Sequence, residues 1–159
     1  MIPIQVMSRN KAIRYSYSDH PKTLLISIRD KGRHIPCFVK DNLIIHYFDF
    51  DDVEEGSPNG FPISDFQAKR IAEVVNSNKD VEKIVVHCEG GVSRSAGVAA
   101  AIGMVINGDD SFIFNDGRYC LNSPCYRKVL EAFGLKNDSS VFAQKLNTNL
   151  EKWREYNDI

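Results

Sequence analysis

The chain has 159 residues, 43% of them hydrophobic and 26% charged, with a formal net charge of −1. That length can bury a sizeable core and predicts one globular domain over residues 1–159, while the near-neutral balance gives no electrostatic reason to expect nucleic acid or a membrane surface as partner. No apolar run is long enough to span a bilayer and no signal-peptide pattern opens the chain, so a cytoplasmic protein is expected. Four cysteines, Cys37, Cys88, Cys120 and Cys125, have neither the density of a disulfide scaffold nor the spacing of a metal site, which suits a reducing compartment and predicts no metal.

Taken in order, residues 2–7 predict a short strand, followed by a polar stretch over 8–19. There Arg9, Lys11 and Arg14 are read as solvated surface in preference to a substrate rim. Residues 23–28, Thr-Leu-Leu-Ile-Ser-Ile, are β-branched and almost wholly apolar, predicting a strand buried on both faces. A loop over 29–36 contains His34, read as a surface histidine. Residues 43–50 form the next predicted strand and run into an acidic connection, 51–62, rich in Gly and Pro. Connections of that length without structure of their own are uncommon and often functional. Ser64 with Gln67 three residues on is a capping box. The helix it opens, ending near Asn76, is expected to bury Phe66, Ala68, Ile71, Ala72, Val74 and Val75.

The next stretch carries the chemistry. A β-branched run, 84–86, ends in His87-Cys88, passes through Gly90 and Gly91, and enters the small-residue run 96–106, predicting strand, tight loop and helix. Such a loop gathers backbone N–H groups at a helix N-terminus, where orphan donors and the helix dipole favour an anion, and phosphate is the natural guest. The same field favours a thiolate, making Cys88 a candidate nucleophile. Arg94 offers a planar fork for two phosphate oxygens, and the Ser95 hydroxyl is placed to bond the sulfur. His87 reads as an orienting residue, since a thiolate formed by the loop needs no base beside it.

His-Cys-x5-Arg-Ser, here HCEGGVSRS, resembles the signature of the cysteine-dependent protein tyrosine phosphatases, and its GVSRS ending is most similar to the compact dual-specificity branch. The resemblance implies an α/β fold with a mostly parallel central sheet flanked by helices. It further implies a phosphate cradle of Glu89, Gly90, Gly91, Val92, Ser93 and Arg94, supported by His87, with Cys88, Arg94, Ser95 and a carboxylic acid as the catalytic set. The family's acid lies a few tens of residues before the cysteine, just past a strand of this pattern. Phe48-x-Phe50-x-Asp52 matches that placement best, with Asp51 second and Asp49 third. The implied activity is hydrolysis of a phosphorylated protein, phosphotyrosine first and phosphoserine or phosphothreonine after it, through a phosphocysteine intermediate that needs no metal or organic cofactor. Two alternatives stay open: a phosphatase of the same fold acting on a non-protein phosphate monoester, and a phosphate-binding module without turnover.

Residues 107–110 break the signature helix, and 111–121 read as irregular. Pro124 near the first helical position predicts a helix through Phe133, capped by Asn122 or Ser123. Asn122 with Tyr126 and Leu130 resembles the asparagine-initiated helix of dual-specificity phosphatases, although Leu121 stands where that family usually has proline. Asn122 is read as a structural cap. Cys120 and Cys125 are read as ordinary thiols in preference to redox partners of Cys88. In the tail, 139–156, Phe142, Leu146, Leu150 and Trp153 recur at helical intervals, and packing back onto the domain is preferred over binding a partner. The resemblance covers residues 23–134.

Overall fold

A computed structural model describes residues 1–19, 22–38 and 42–159. Its strands are Ile4–Ser8 (β1), Thr23–Arg29 (β2), Leu43–Asp49 (β3) and Lys83–Cys88 (β4). Among the described residues they form one sheet in the order β1-β4-β2-β3, parallel throughout. An all-parallel sheet must be covered on both faces, and pleat alternation decides what each face receives. Leu24, Ile26, Ile28, Ile84, Val86 and Cys88 belong to one core, while Met7, Leu25 and Val85 belong to a smaller one on the other face. Each fully buried aliphatic side chain of this set, such as Ile26 or Ile84, contributes about 1.5–3 kcal/mol.

The helices are Arg9–Arg14 (α1), Asp65–Asn76 (α2), Arg94–Asn107 (α3), Ser111–Phe114 (α4), Ser123–Ala132 (α5) and Ser139–Tyr156 (α6). Ala12 of α1 joins the small core with Tyr17, whose hydroxyl donates to the Ala12 carbonyl at 2.8 Å. Residues of α2 to α6 cover the other face. The expected capping box is present on α2: the Gln67 amide N–H donates to Ser64 Oγ, and the Ser64 N–H donates to Gln67 Oε1. Five of the six apolar positions expected on its inner face are buried, but Phe66 is 74% exposed. Small residues let α3 run tightly against α5: a Cβ on Gly97 would lie 2.6 Å from the Asn122 carbonyl oxygen and 2.8 Å from Cys125 Cβ.

Three readings along the chain are corrected. The polar stretch after β1 contains helix α1, begun by Ser8 as N-cap, and its Arg9 is buried rather than solvated. Residues 111–121 open with the single turn α4 before becoming irregular. In the tail, Phe142 is buried and Leu146 half-buried against the core, yet Leu150 is exposed and the most buried polar residue is Asn149. No helix among the described residues is long and apolar enough to cross a membrane.

Candidate active site

In parallel α/β sheets, ligands bind beyond the carboxyl ends of the strands. Cys88 ends β4, an inner strand flanked by β1 and β2, and it is paired with Ser8. It is buried, with Sγ 3.0 Å from Ser95 Oγ in the first turn of α3. Its neighbour His87 points to the opposite face, where Nε2 lies 2.6 Å from Ser27 Oγ and Nδ1 3.1 Å from the Cys88 carbonyl oxygen. A carbonyl only accepts, so Nδ1 carries the proton and Nε2 accepts from Ser27. Burial is the main cause holding the His87 pKa below its ordinary 6.5, with Arg9 and Arg94 acting in the same direction; the bond to the Cys88 carbonyl and the Glu89 charge pull against it. A neutral imidazole thus braces the peptide behind Cys88.

The loop between Cys88 and α3 is held from outside. The amides of Arg9, Cys120 and Asn122 donate to the carbonyls of Glu89, Val92 and Ser93 at 3.1, 3.1 and 3.0 Å. No described peptide bond is cis, and in a trans peptide the carbonyl of one residue opposes the N–H of the next. Anchoring these three carbonyls outward therefore turns the N–H groups of Gly90, Ser93 and Arg94 the other way. Gly91 has φ +68°, and a Cβ there would lie 2.5 Å from the Ser8 nitrogen, so the loop can sit against β1 only with glycine. The N-cap residue of α3, Ser93, makes no capping bond, and the first turn keeps its orphan donors.

Arg94 is buried. Its Nη1 donates to the Phe50 carbonyl at 2.8 Å and pairs with Asp30 Oδ1 at 2.6 Å, while Nε is buried without a partner. Buried guanidinium donors are rarely left unsatisfied, and Nε lies on the edge of the fork that Nη1 does not share. That edge suits two oxygens of a phosphate.

The three candidate acids separate cleanly. Asp49 pairs with Lys31 at 3.5 Å and Arg29 at 3.9 Å. Asp51 accepts the Lys31 amide on Oδ1 at 3.0 Å and the Phe61 amide on Oδ2 at 2.8 Å, and these bonds hold its pKa below the usual 3.8. Asp52 turns the other way: Oδ1 accepts Ser93 Oγ at 2.7 Å and Asn122 Nδ2 at 3.0 Å. The acidic loop is further tied to α5 by Glu55, which pairs with Arg127 at 2.6 Å and Lys128 at 3.1 Å.

No protein-family model matches the chain, and no curated protein does. Solved structures do. DUSP15 superposes with a TM-score of 0.55 at 16% identity, over 97% of this chain and 92% of that one. The human tyrosine phosphatase-like serine/threonine/tyrosine-interacting protein gives 0.52 at 17% identity, over 96% and 92%. The fold is dual-specificity phosphatase-like. PTPMT1, solved in complex with PI(5)P, gives 0.52 at 14% identity over 89% of this chain and 94% of that one.

On this dual-specificity phosphatase-like scaffold, Cys88 meets Ser95, Asp52 meets Ser93 of the loop 89–94, and Arg94 opens α3 where that loop ends. Sequence reasoning missed three contributors. Asn122 does cap α5, with Oδ1 accepting the Cys125 amide at 3.0 Å, but its Nδ2 also reaches Asp52. An asparagine cap always leaves an amide donor over, and that was the available signal. Arg9, whose amide holds the loop, and Asp30, which anchors Arg94, come from distant chain segments with no local pattern to mark them. Burial raises the pKa of Cys125 well above its ordinary 9.0, and burial with the Asp52 charge raises that of Cys120, so neither of these two thiols is activated.

Proposed function

We propose that this chain hydrolyses phosphate monoesters on protein side chains, phosphotyrosine first, through a phosphocysteine intermediate. The observation that carries the reading is the joint placement of Cys88 Sγ against Ser95 Oγ, at the base of a loop whose carbonyls are anchored outward and whose Arg94 keeps a free Nε edge.

In this mechanism the loop N–H groups and Arg94 hold the non-bridging oxygens, most strongly as charge grows on them in the transition state. The Cys88 thiolate forms the S–P bond as the bond from phosphorus to the substrate oxygen breaks. Asp52 gives its proton to that oxygen, and the alcohol or phenol departs. The Asp52 carboxylate then takes a proton from water, whose oxygen attacks phosphorus. The S–P bond breaks, Ser95 donates a hydrogen bond to the departing thiolate, and inorganic phosphate leaves. Asp51 is poorly suited to the acid's role, because two backbone donors favour its ionised form. Cys88 is 2% exposed, so a phosphate on a long aryl arm reaches it more readily than one on serine or threonine.

The test is phosphate release from a panel of phosphotyrosine, phosphothreonine and phosphoserine peptides together with PI(5)P, the ligand of the PTPMT1 complex. Hydrolysis of phosphotyrosine peptide by the wild type, lost in Cys88→Ser while inorganic phosphate still binds, is the expected result. Turnover retained in Cys88→Ser removes the nucleophile from the mechanism. Preference for PI(5)P redirects the substrate class to a lipid headgroup. A wild type that binds phosphate without hydrolysing any of the panel is a binding module, a reading the likeness to a protein named phosphatase-like and interacting keeps in view.

A further inference from the structure

We propose that Asn149, on the C-terminal helix α6, is a positioning residue that sets the phosphate loop and its acid through the strap formed by residues 119–122. The proposal deepens the hydrolase reading above and rests on it for its kinetic consequence.

Asn149 is 2% exposed, and both ends of its amide are used: Oδ1 accepts the Leu121 N–H at 3.2 Å and Nδ2 donates to the Tyr119 carbonyl at 2.9 Å. The strap residues between and beyond these two bonds face the site. Cys120 N–H holds the Val92 carbonyl and Asn122 N–H holds the Ser93 carbonyl, which are the bonds that turn the Ser93 and Arg94 amides away from the strap. The Asn122 side chain, fixed by the same backbone, donates to Asp52. One buried amide on α6 therefore fixes alternate residues of a segment whose intervening residues fix the cradle and the acid.

Docking of α6 needs no amide at this position. Phe142 stacks on Tyr126 with ring centroids 5.1 Å apart, and Lys145 pairs with Asp110 at 2.8 Å, where Tyr126 Oη also donates at 2.7 Å. A buried amide costs desolvation that an aliphatic residue would avoid, unless its bonds are made. The chain just before the strap also lies hard against α6, since a Cβ on Gly117 would come within 2.5 Å of the Lys152 carbonyl oxygen. Asparagine alone has a donor and an acceptor at this reach: Asp keeps only the acceptor for Leu121, and Leu keeps neither.

The experiment compares Asn149→Leu, Asn149→Asp and Phe142→Leu with the wild type. It measures inorganic phosphate affinity by calorimetry, hydrogen exchange at the Cys120 and Asn122 amides, kcat on phenyl phosphate and on p-nitrophenyl phosphate, and Tm. Asn149→Leu is expected to weaken phosphate binding about tenfold, the worth of one to two hydrogen bonds, and to speed exchange at both amides. Its kcat should fall more on phenyl phosphate than on p-nitrophenyl phosphate, because Asp52 is loosened as well. Asn149→Asp should lie between the two, and Phe142→Leu should lower Tm while keeping phosphate affinity and amide protection. Wild-type phosphate affinity in Asn149→Leu overturns the proposal, as does an equal loss in Phe142→Leu. If Asn149→Leu does not fold, unchanged affinity and exchange in Asn149→Asp overturn it. Phosphate binding and exchange need no turnover, so an inactive wild type defeats the hydrolase reading and leaves these two readouts to decide the role of Asn149.

Discussion

The two glycines of the loop between Cys88 and α3 are adjacent in sequence and opposite in tolerance, and replacing each by alanine separates the loop's geometry from its composition. Gly91 sits at φ +68°, where an L-residue costs about 1–2 kcal/mol more than glycine. Its new Cβ would lie 2.5 Å from the Ser8 nitrogen and 2.6 Å from the Met7 carbonyl carbon. Those atoms are backbone of β1, held in register against β4, and cannot swing aside as a side-chain tip could. Overpacking against such a wall adds about 1–3 kcal/mol, for a total of about 2–5 kcal/mol. Relief comes only by lifting the loop off β1, which moves the amides that would hold phosphate. Gly90 has no heavy atom within 4 Å of a built Cβ and no positive φ, so Gly90→Ala should stay within about 0.5 kcal/mol of wild type. Urea unfolding gives the stability difference, and calorimetric titration of inorganic phosphate reads the cradle. Gly91→Ala within about 0.5 kcal/mol of wild type, or equal losses in the two variants, would refute the argument.

Two further outcomes follow from the same geometry. Asp52→Asn should slow phenyl phosphate or phosphotyrosine peptide on the order of 10²-fold and p-nitrophenyl phosphate much less, since a better leaving group needs the proton less. Asp51→Asn gives up one of the two backbone bonds that tie Lys31 to Phe61, so it should lower Tm without that leaving-group dependence; the reverse pattern would make Asp51 the acid. His87 bears on stability against pH: the unfolded imidazole takes its proton near 6.5 and the folded one only at lower pH, so between the two the unfolded chain binds more protons. Folding stability should therefore fall as pH drops below about 6.5, and His87→Gln should flatten that fall. Part of the slope should survive the substitution, because burial lowers the His46 pKa in the same sense, and urea titrations of the two proteins from pH 8 to 5 measure the difference.

Local chemistry wrote much of this protein legibly. The strand-loop-helix of the signature, the Ser64 capping box and the Asn122 cap are each decided by residues within a few positions of one another, so propensity and spacing suffice. Other assignments depended on contacts between distant segments. Asp51 and Asp52 lie beyond the end of β3, and what separates them is their partners from such segments: the Lys31 and Phe61 amides for one, Ser93 and Asn122 for the other. Arg9 is charged in a polar stretch, and only the placement of β1 beside β4 buries it and brings its amide to Glu89. The two glycines differ because one sits at positive φ with Met7 and Ser8 passing beneath it. Asn149 lies among the polar residues of an exposed-looking helix, and its burial depends on the strap arriving from 30 residues earlier at Tyr119. A hydrogen bond or a steric wall supplied across such separations leaves no periodicity in the chain, and it exists only once the sheet order and the seat of α6 bring its two partners together.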